Sequence, residues 1–394
     1  MLFLSQRVES LALPMTIEMT KKSRALQEAG HDIISLSLGE PDFDTPDFAK
    51  AAGMDGIAQN FSHYMPVPGY VDLRQAVCEK FQRDNGLSYH PDEIIVSTGA
   101  KQSIANLMMA LVNPGDEVII PAPYWVSYAD LAEFVGGTVV SPKAGIHQDF
   151  KLTAAQLEQS ISPRTKLLIF SSPNNPSGAM YSRTELEALA EVLRAHPHVW
   201  IISDEIYEYI QYGVEHVSMA SLSGMRERTA TVNGLSKGFA MTGWRLGYMG
   251  APVELAKACE KIQSQITSGA SSIAQRAAIA ALKSGPESVQ YMVDAFTSRR
   301  RLLADALRGA EKLVVKAPEG AFYLFVDASA YLSKAHPTAL DLCMQLLDGG
   351  VAAVPGEAFG LDGYIRFSYA ASEEDLRRAA ERIVRTLNGL NSAS

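Results

Sequence analysis

Thr229 Ala230 Thr231 Val232 Asn233 Gly234 Leu235 Ser236 Lys237 Gly238 Phe239 Ala240 Met241 Thr242 Gly243 Trp244 Arg245 Leu246 Gly247 Tyr248 Met249 Gly250 is the stretch on which the fold turns. Two short apolar runs, Thr229 to Asn233 and Leu246 to Gly250, bracket a loop of small residues and read as strand, loop, strand. Lys237 stands at the exit of the first strand, with a hydroxyl beside it at Ser236 and a guanidinium eight residues on at Arg245. A lysine amine attacks an aldehyde only when its free base is populated, which takes desolvation or a neighbouring cation. Arg245 supplies such a cation or holds an anion. Taken alone, Lys237 and Arg245 are better read as solvated loop charges, and it is the other contacts supplied elsewhere in the chain that overturn that reading.

Outward from this stretch, short β-branched runs alternate with amphipathic helices from Glu93 onward, the pattern of a sheet with crossover helices. Strands are expected at Ile94 to Ser97, Glu117 to Pro121, Gly137 to Ser141, Lys166 to Phe170 and Val199 to Ser203, besides the two already quoted. Together they predict one wide α/β domain with a mostly parallel seven-stranded sheet flanked by helices. Before it lie an arm, a helix over Lys21 to Ala29, a strand over Ile33 to Leu38 and a helix over Val71 to Asn85. After Lys261 the chain turns helical, through Ser272 to Leu282 and Val289 to Leu307. A smaller α+β unit closes it, with strands at Phe322 to Val326, Val351 to Val354 and Tyr364 to Ser368 and a last helix over Glu373 to Leu387. The expected division is 1–40 as arm and part of the small domain, 41–290 as the large domain and 291–394 as the small domain.

At 394 residues, with 47% hydrophobic and 20% charged residues, the chain is long and apolar enough to bury a large core. A net charge of −9, with no basic run longer than Arg299 to Arg301, argues against nucleic acid or an anionic membrane as partner and leaves small metabolites. Cys78, Cys259 and Cys343 lie far apart in no CxxC spacing, so no disulfide framework or structural zinc is indicated and a reducing compartment fits. Arg7 and Glu9 interrupt the apolar start before a signal-peptide core forms, and no run of about 18 apolar residues occurs. A cytoplasmic protein is expected, with no metal.

Other strand exits carry residues with possible chemistry. Ser97 Thr98 Gly99 Ala100 Lys101 Gln102 runs from strand through a small-residue turn into a helix, so free backbone amides at a positive helix end suit phosphate; such junctions also arise from packing alone, and Lys101 is either a cation beside the phosphate or a solvated one. Trp125, after the strand at Glu117, reaches a strand's carboxyl edge, where it either stacks on a flat heterocycle or serves as a core or lid aromatic. Ser172 Pro173 Asn174 Asn175 Pro176 is turn chemistry that either needs no function or fixes Asn175 as a rigid donor. Asp204 ends an apolar run, and a buried carboxylate there asks for a cation such as a protonated pyridine nitrogen. Tyr207, three residues on, can donate to a phenolic oxygen, whereas Glu205 reads as an exposed loop acid. Arg366, in the apolar strand Tyr364 to Ser368, offers a planar fork to a carboxylate or makes an internal salt bridge.

In order and spacing, Gly39 Glu40 Pro41 Asp42 Phe43, Pro123 Tyr124 Trp125 Val126 Ser127 Tyr128, Ser172 to Pro176, Ser203 Asp204 Glu205 Ile206 Tyr207 and Ser236 Lys237 to Arg245 closely resemble the fold-type-I, class I pyridoxal-phosphate aminotransferases, and within them the bacterial aspartate aminotransferase subgroup. The resemblance runs from Leu4 to Tyr369. It implies that pyridoxal phosphate is held covalently by Lys237, which also moves the proton between the substrate Cα and the cofactor's C4′. It implies further that Asp204 pairs with the pyridine nitrogen, Tyr207 and Asn175 with the ring oxygen, and that Trp125 stacks on the ring. Arg245, Ser236 and the amides of Ala100 and Lys101 are implied for the phosphate, with Tyr64 reaching it from a second subunit, so that a homodimer with shared active sites is expected. Arg366, Gly39, Asn175 and Trp125 are implied around the amino acid or 2-oxo acid substrate, and Lys101 at its second carboxylate.

The sequence departs from that pattern in places. Gly234 stands where many relatives have a hydroxyl three residues before the lysine, and Gln263 to Ser271 offers no arginine for the second carboxylate. Leu11 to Thr16 contains no cation where prephenate-using members carry a lysine, which argues against that activity. The expected reaction is transfer of the amino group of L-aspartate to 2-oxoglutarate. The alternatives are an aminotransferase for aromatic, alanine-type or prephenate substrates, or a β-lyase of the same fold. A regulator with a preceding DNA-binding module is not expected, since the family's arm begins almost at residue 1.

Overall fold

The computed structural model describes residues 4–9, 11 and 15–391. Its twelve strands are β1 (Ile34–Ser35), β2 (Ile94–Ser97), β3 (Glu117–Ile119), β4 (Thr138–Val140), β5 (Thr165–Ser171), β6 (Trp200–Asp204), β7 (Thr229–Gly234), β8 (Gly247–Gly250), β9 (Tyr323–Asp327), β10 (Val351–Ala352), β11 (Val354–Pro355) and β12 (Tyr364–Ser368). Strands β2 to β8 form one seven-stranded sheet in the order β2-β8-β7-β6-β5-β3-β4. All neighbours in it are parallel except β8, which runs antiparallel to both β2 and β7. The seven strands are those the β-branched runs predicted.

The central strands are apolar almost throughout because helices cover both faces, as parallel sheets require. Leu167 and Ile169 of β5 pack in the cluster that holds Ile104 and Leu107 of helix Ala100–Leu111, while Leu168 and Phe170 pack against Leu186, Leu189 and Leu193 of helix Arg183–Ala195. The second helix buries positions 186, 189, 190 and 193, one face at helical spacing. Its start is fixed by a capping box in which the Ser182 side chain accepts from the Glu185 amide and Glu185 reaches back to the Ser182 amide.

The remaining strands build two smaller sheets. β11-β12-β9 is antiparallel, and β1 pairs in parallel with β10. The N-terminal strand therefore closes against the C-terminal part of the chain. Helix Gln290–Leu307 packs on helix Glu373–Asn391. Two expected strands are corrected. Ile33 to Leu38 pairs only over Ile34–Ser35, because its partner β10 is two residues long, and Val351 to Val354 is broken at Ala353, where the chain passes from one small sheet to the other. The N-terminal helix begins at Met15 rather than Lys21. The three cysteines are free and buried.

Candidate active site

β5, β6 and β7 run parallel, with Ser171 opposite Asp204 and Asp204 opposite Val232, so their carboxyl ends finish together. Because β2 and β7 are both antiparallel to β8, β2 also ends on this edge, and β8 enters it directly after Arg245. A cavity of about 540 Å³ opens there. Open α/β sheets bind ligands at this edge, where strand ends deliver side chains to one place. Lys237, Ser236, Arg245, Asp204, Tyr207 and Asn175 line it together with Ala100, Lys101, Trp125, Gly39 and Arg366. Of the expected site residues only Tyr64 does not; its side chain is 99% exposed.

Lys237 sits in the turn that follows β7 and donates from Nζ to the Gly39 carbonyl. Desolvation inside the cavity pushes its pKa down to about 8, Glu40 opposes this, and the charges of Arg366 and Arg245 add to it. A usable share of free base is therefore present near neutral pH.

Asp204, the last residue of β6, is buried. Its Oδ2 accepts from the Tyr128 hydroxyl at 2.6 Å and its Oδ1 from the Ile206 amide at 3.3 Å. Burial pushes its pKa up to about 6 despite these bonds, and no cation pairs with it among the described residues. Such a group favours a cationic partner.

Arg366 on β12 is 3% exposed. Its Nη1 donates to Asn175 Oδ1 at 2.9 Å, its Nη2 to the Ser37 carbonyl at 2.7 Å, and its guanidinium carbon lies 4.5 Å from the centre of the Tyr323 ring. Its Nε is buried without a partner. Among the described residues no carboxylate pairs with it, which sets aside the internal salt bridge left open by the sequence. Burial pulls its pKa below the usual arginine value.

Arg245 takes up a left-handed backbone at φ 53° and donates from Nη1 to the Thr242 carbonyl at 2.8 Å. Gly99 lies at φ 78°, and a Cβ on it would stand 2.5 Å from Arg245 Nη2, so the missing side chain lets the guanidinium reach the N-terminus of helix Ala100–Leu111. Lys101 Nζ lies 4.8 Å over the Trp125 ring, and desolvation followed by the Arg245 charge lowers its pKa.

Two tyrosines complete the site that sequence reasoning did not single out. Tyr128 holds Asp204, and Tyr323 meets the Tyr207 hydroxyl at 2.8 Å. The signal for Tyr128 was its place three residues after Trp125 in an incipient helix; Tyr323 lay in a continuous apolar run, Phe322 to Val326, without any polar cue. Glu205 is a correction: it is wholly buried, accepting from Ser203 and Ser218 at 2.8 and 2.7 Å and facing His216 Nε2 at 3.0 Å. Ile17, Thr20, Lys21 and Arg24 of the N-terminal helix also line the cavity. Ala12, Leu13 and Pro14, within the cation-free stretch noted above, lie outside the described residues.

A family model described as Aminotransferase class I and II matches residues 31–383. The "Bifunctional aspartate aminotransferase and glutamate/aspartate-prephenate aminotransferase" of Petunia hybrida is 48% identical over 98% of this chain and 82% of its own length. The "Aspartate/prephenate aminotransferase" of Cereibacter sphaeroides is 46% identical over 99% of this chain and 100% of its own. Among solved structures, the aspartate aminotransferase from Rhizobium meliloti superposes with a TM-score of 0.95 at 43% identity, covering 98% of this chain and 99% of that one. With a family match across most of its length, the chain belongs to the class I and II aminotransferases, enzymes that work with pyridoxal phosphate.

Proposed function

We propose that the protein is an aspartate aminotransferase, moving the amino group of L-aspartate to 2-oxoglutarate to give oxaloacetate and L-glutamate in two half reactions. The observation that carries this reading is Arg366, a buried guanidinium with no carboxylate partner among the described residues, opening on the same cavity as a lysine whose pKa is about 8. Burying an unpaired cation is costly, and a substrate carboxylate would relieve that cost on binding. Relatives named for aspartate support the choice of donor.

The residues fit pyridoxal phosphate. The Arg245 guanidinium, the Ser236 hydroxyl and the first-turn amides of Ala100 and Lys101 make a donor set for a phosphate dianion, because such amides have no intrahelical acceptor. Asp204 suits a pyridine N–H, Tyr207 and Asn175 suit the ring oxygen, and Trp125 suits the ring face. When bound, the cofactor supplies an aldehyde carbon for the amino group and a cationic ring that takes up electrons.

Around it, the chain's own residues bind, orient and move a proton. Arg366 holds the α-carboxylate in its planar fork, with Asn175 locking the guanidinium through its Oδ1 and Gly39 leaving space beside it. That fixes the substrate Cα within reach of Lys237 Nζ, which takes the α-proton as an uncharged amine. Asp204 keeps a negative charge against the ring nitrogen, and Tyr128 holds that carboxylate in place. Lys101, beside Trp125, takes the second carboxylate.

A homodimer with shared sites belongs to the same reading. Tyr64 is 99% exposed, and Met54, Ile57 and Val71 are also exposed at 64%, 66% and 64%, large side chains that a second copy would cover. A sedimentation mass of a single chain would remove this part.

The test is a half reaction. Cofactor-loaded protein is mixed with one amino acid and no oxo acid, and the oxo acid released is measured. Aspartate and glutamate are expected to react at least tenfold faster than alanine or phenylalanine, and Lys101→Ala to weaken the preference for aspartate by about 1–2 kcal/mol. Pyruvate and ammonia from a β-substituted amino acid, or no reaction with any donor, would move the assignment to the lyase.

A further inference from the structure

The N-terminal helix Met15–Glu28 borders the mouth of the active-site cavity. Met19 and Ser23, each 1% exposed, turn into the protein. Ile17, Thr20, Lys21 and Arg24, at i, i+3, i+4 and i+7, share the other side of the helix and line the cavity. Lys21 and Arg24 are exposed, and neither makes a hydrogen bond or ion pair with any described residue.

Charge in the cavity is one-sided. Six of its lining residues are cationic, Lys21, Arg24, Lys101, Lys237, Arg245 and Arg366, against one acid, Asp204. In the proposed reaction Arg245 meets the phosphate, Arg366 the α-carboxylate, Lys101 the β-carboxylate of aspartate, and Lys237 works as a neutral base. Lys21 and Arg24 are left without an anion. The reaction also demands that one cavity accept substrates of two lengths, since 2-oxoglutarate is a methylene longer than oxaloacetate. With the α-carboxylate fixed at Arg366 and Cα at Lys237, each added methylene displaces the far carboxylate. Lys101 is held over Trp125, whereas two long, unpaired cationic side chains on a neighbouring helix can follow such a displacement.

We propose that Lys21 and Arg24 form a second carboxylate-reading station at the cavity mouth, which takes the terminal carboxylate of dicarboxylic substrates longer than aspartate. These are glutamate and 2-oxoglutarate, and their six-carbon homologues 2-aminoadipate and 2-oxoadipate. The inference rests on the dicarboxylate aminotransferase reading and adds to it a division of labour by chain length.

The experiment compares holoenzyme carrying Lys21→Ala, Arg24→Ala or both with the unmodified protein. Half-reaction kcat/KM is measured for aspartate, glutamate and 2-aminoadipate, and binding of the unreactive succinate, glutarate and adipate by calorimetry. For the double variant, the station predicts a loss of about 5- to 30-fold on glutamate, 2-aminoadipate, glutarate and adipate, as two partly screened ion pairs allow. Loss on aspartate and succinate is expected to stay below about threefold, Lys101→Ala to show the reverse order, and Arg24→Lys to recover most of the binding. The advantage on long ligands should shrink as salt rises. Equal loss at every chain length, or no loss at any, overturns the proposal. If the unmodified protein transaminates neither aspartate nor glutamate, the functional reading itself fails, and the calorimetric series still reads the station separately.

Discussion

Asp204 concentrates the conflict at the residue scale. Its folded pKa of about 6 lies above the ordinary 3.8 because burial outweighs the bonds from Tyr128 and Ile206. Between about pH 4 and pH 6 the unfolded chain gives up the proton and the folded one keeps it, so the cofactor-free protein loses stability as pH rises through this window. The loss is at most about 3 kcal/mol and is complete above pH 6. Asp204→Asn keeps an acceptor for Tyr128 and removes the charge. The expectation is a cofactor-free variant more stable than the parent at pH 7, with the gain gone at pH 4 and with transamination reduced by at least a hundredfold. Thermal unfolding of both proteins across pH checks this; a variant less stable at pH 7 than at pH 4, relative to the parent, would contradict it. Asp204, Lys237 and Arg245 were legible in the sequence because each stands at a strand end and the motifs at the other strand ends point to the same edge. Glu205 was not, because its partners Ser218 and His216 are 13 and 11 residues away and nothing local marks them. Arg366 was legible as a buried arginine, but its missing carboxylate is visible only in three dimensions.

Among elements, the seven strands of the large sheet were readable from their β-branched runs, since a strand buried on both faces leaves little choice of residue. The two-residue strands β1 and β10 were not, since their pairing joins segments over 300 residues apart. Gly234, at the end of β7, shows how packing between elements limits chemistry. A Cβ on it would lie 3.0 Å from Gly247 Cα, 3.0 Å from the Leu246 carbonyl and 3.1 Å from Ile206 Cδ1, so a side chain there would press β7 and β8 apart by a few tenths of an ångström. Gly234→Ser is therefore expected to destabilise the fold by about 1–3 kcal/mol and not to tighten cofactor binding. Chemical unfolding and cofactor titration read the two effects; tighter cofactor binding without loss of stability would show that the strands part more easily than their contacts indicate.

For the whole molecule, the cavity draws on distant parts of the chain. The large sheet supplies Lys237, Asp204 and the donors proposed for a phosphate, β9 and β12 supply Tyr323 and Arg366, and the N-terminal helix borders the mouth. Arg366 is tied across the cavity to Asn175 and Ser37, so the carboxylate site proposed for the substrate draws on three separate segments. Among the described residues no helix is long and apolar enough to cross a membrane. The central claim is that this assembly presents the substrate α-proton to an uncharged Lys237. It is tested most directly by following exchange of the α-deuterium of L-[2-²H]aspartate with solvent in the presence of cofactor and the absence of any oxo acid. The account predicts rapid loss of deuterium with the unmodified protein and at least a thousandfold slower loss with Lys237→Ala, even where calorimetry shows that the variant still binds cofactor and aspartate. Exchange by the variant at the parent's rate would show that another group takes the proton and would contradict the assignment of Lys237.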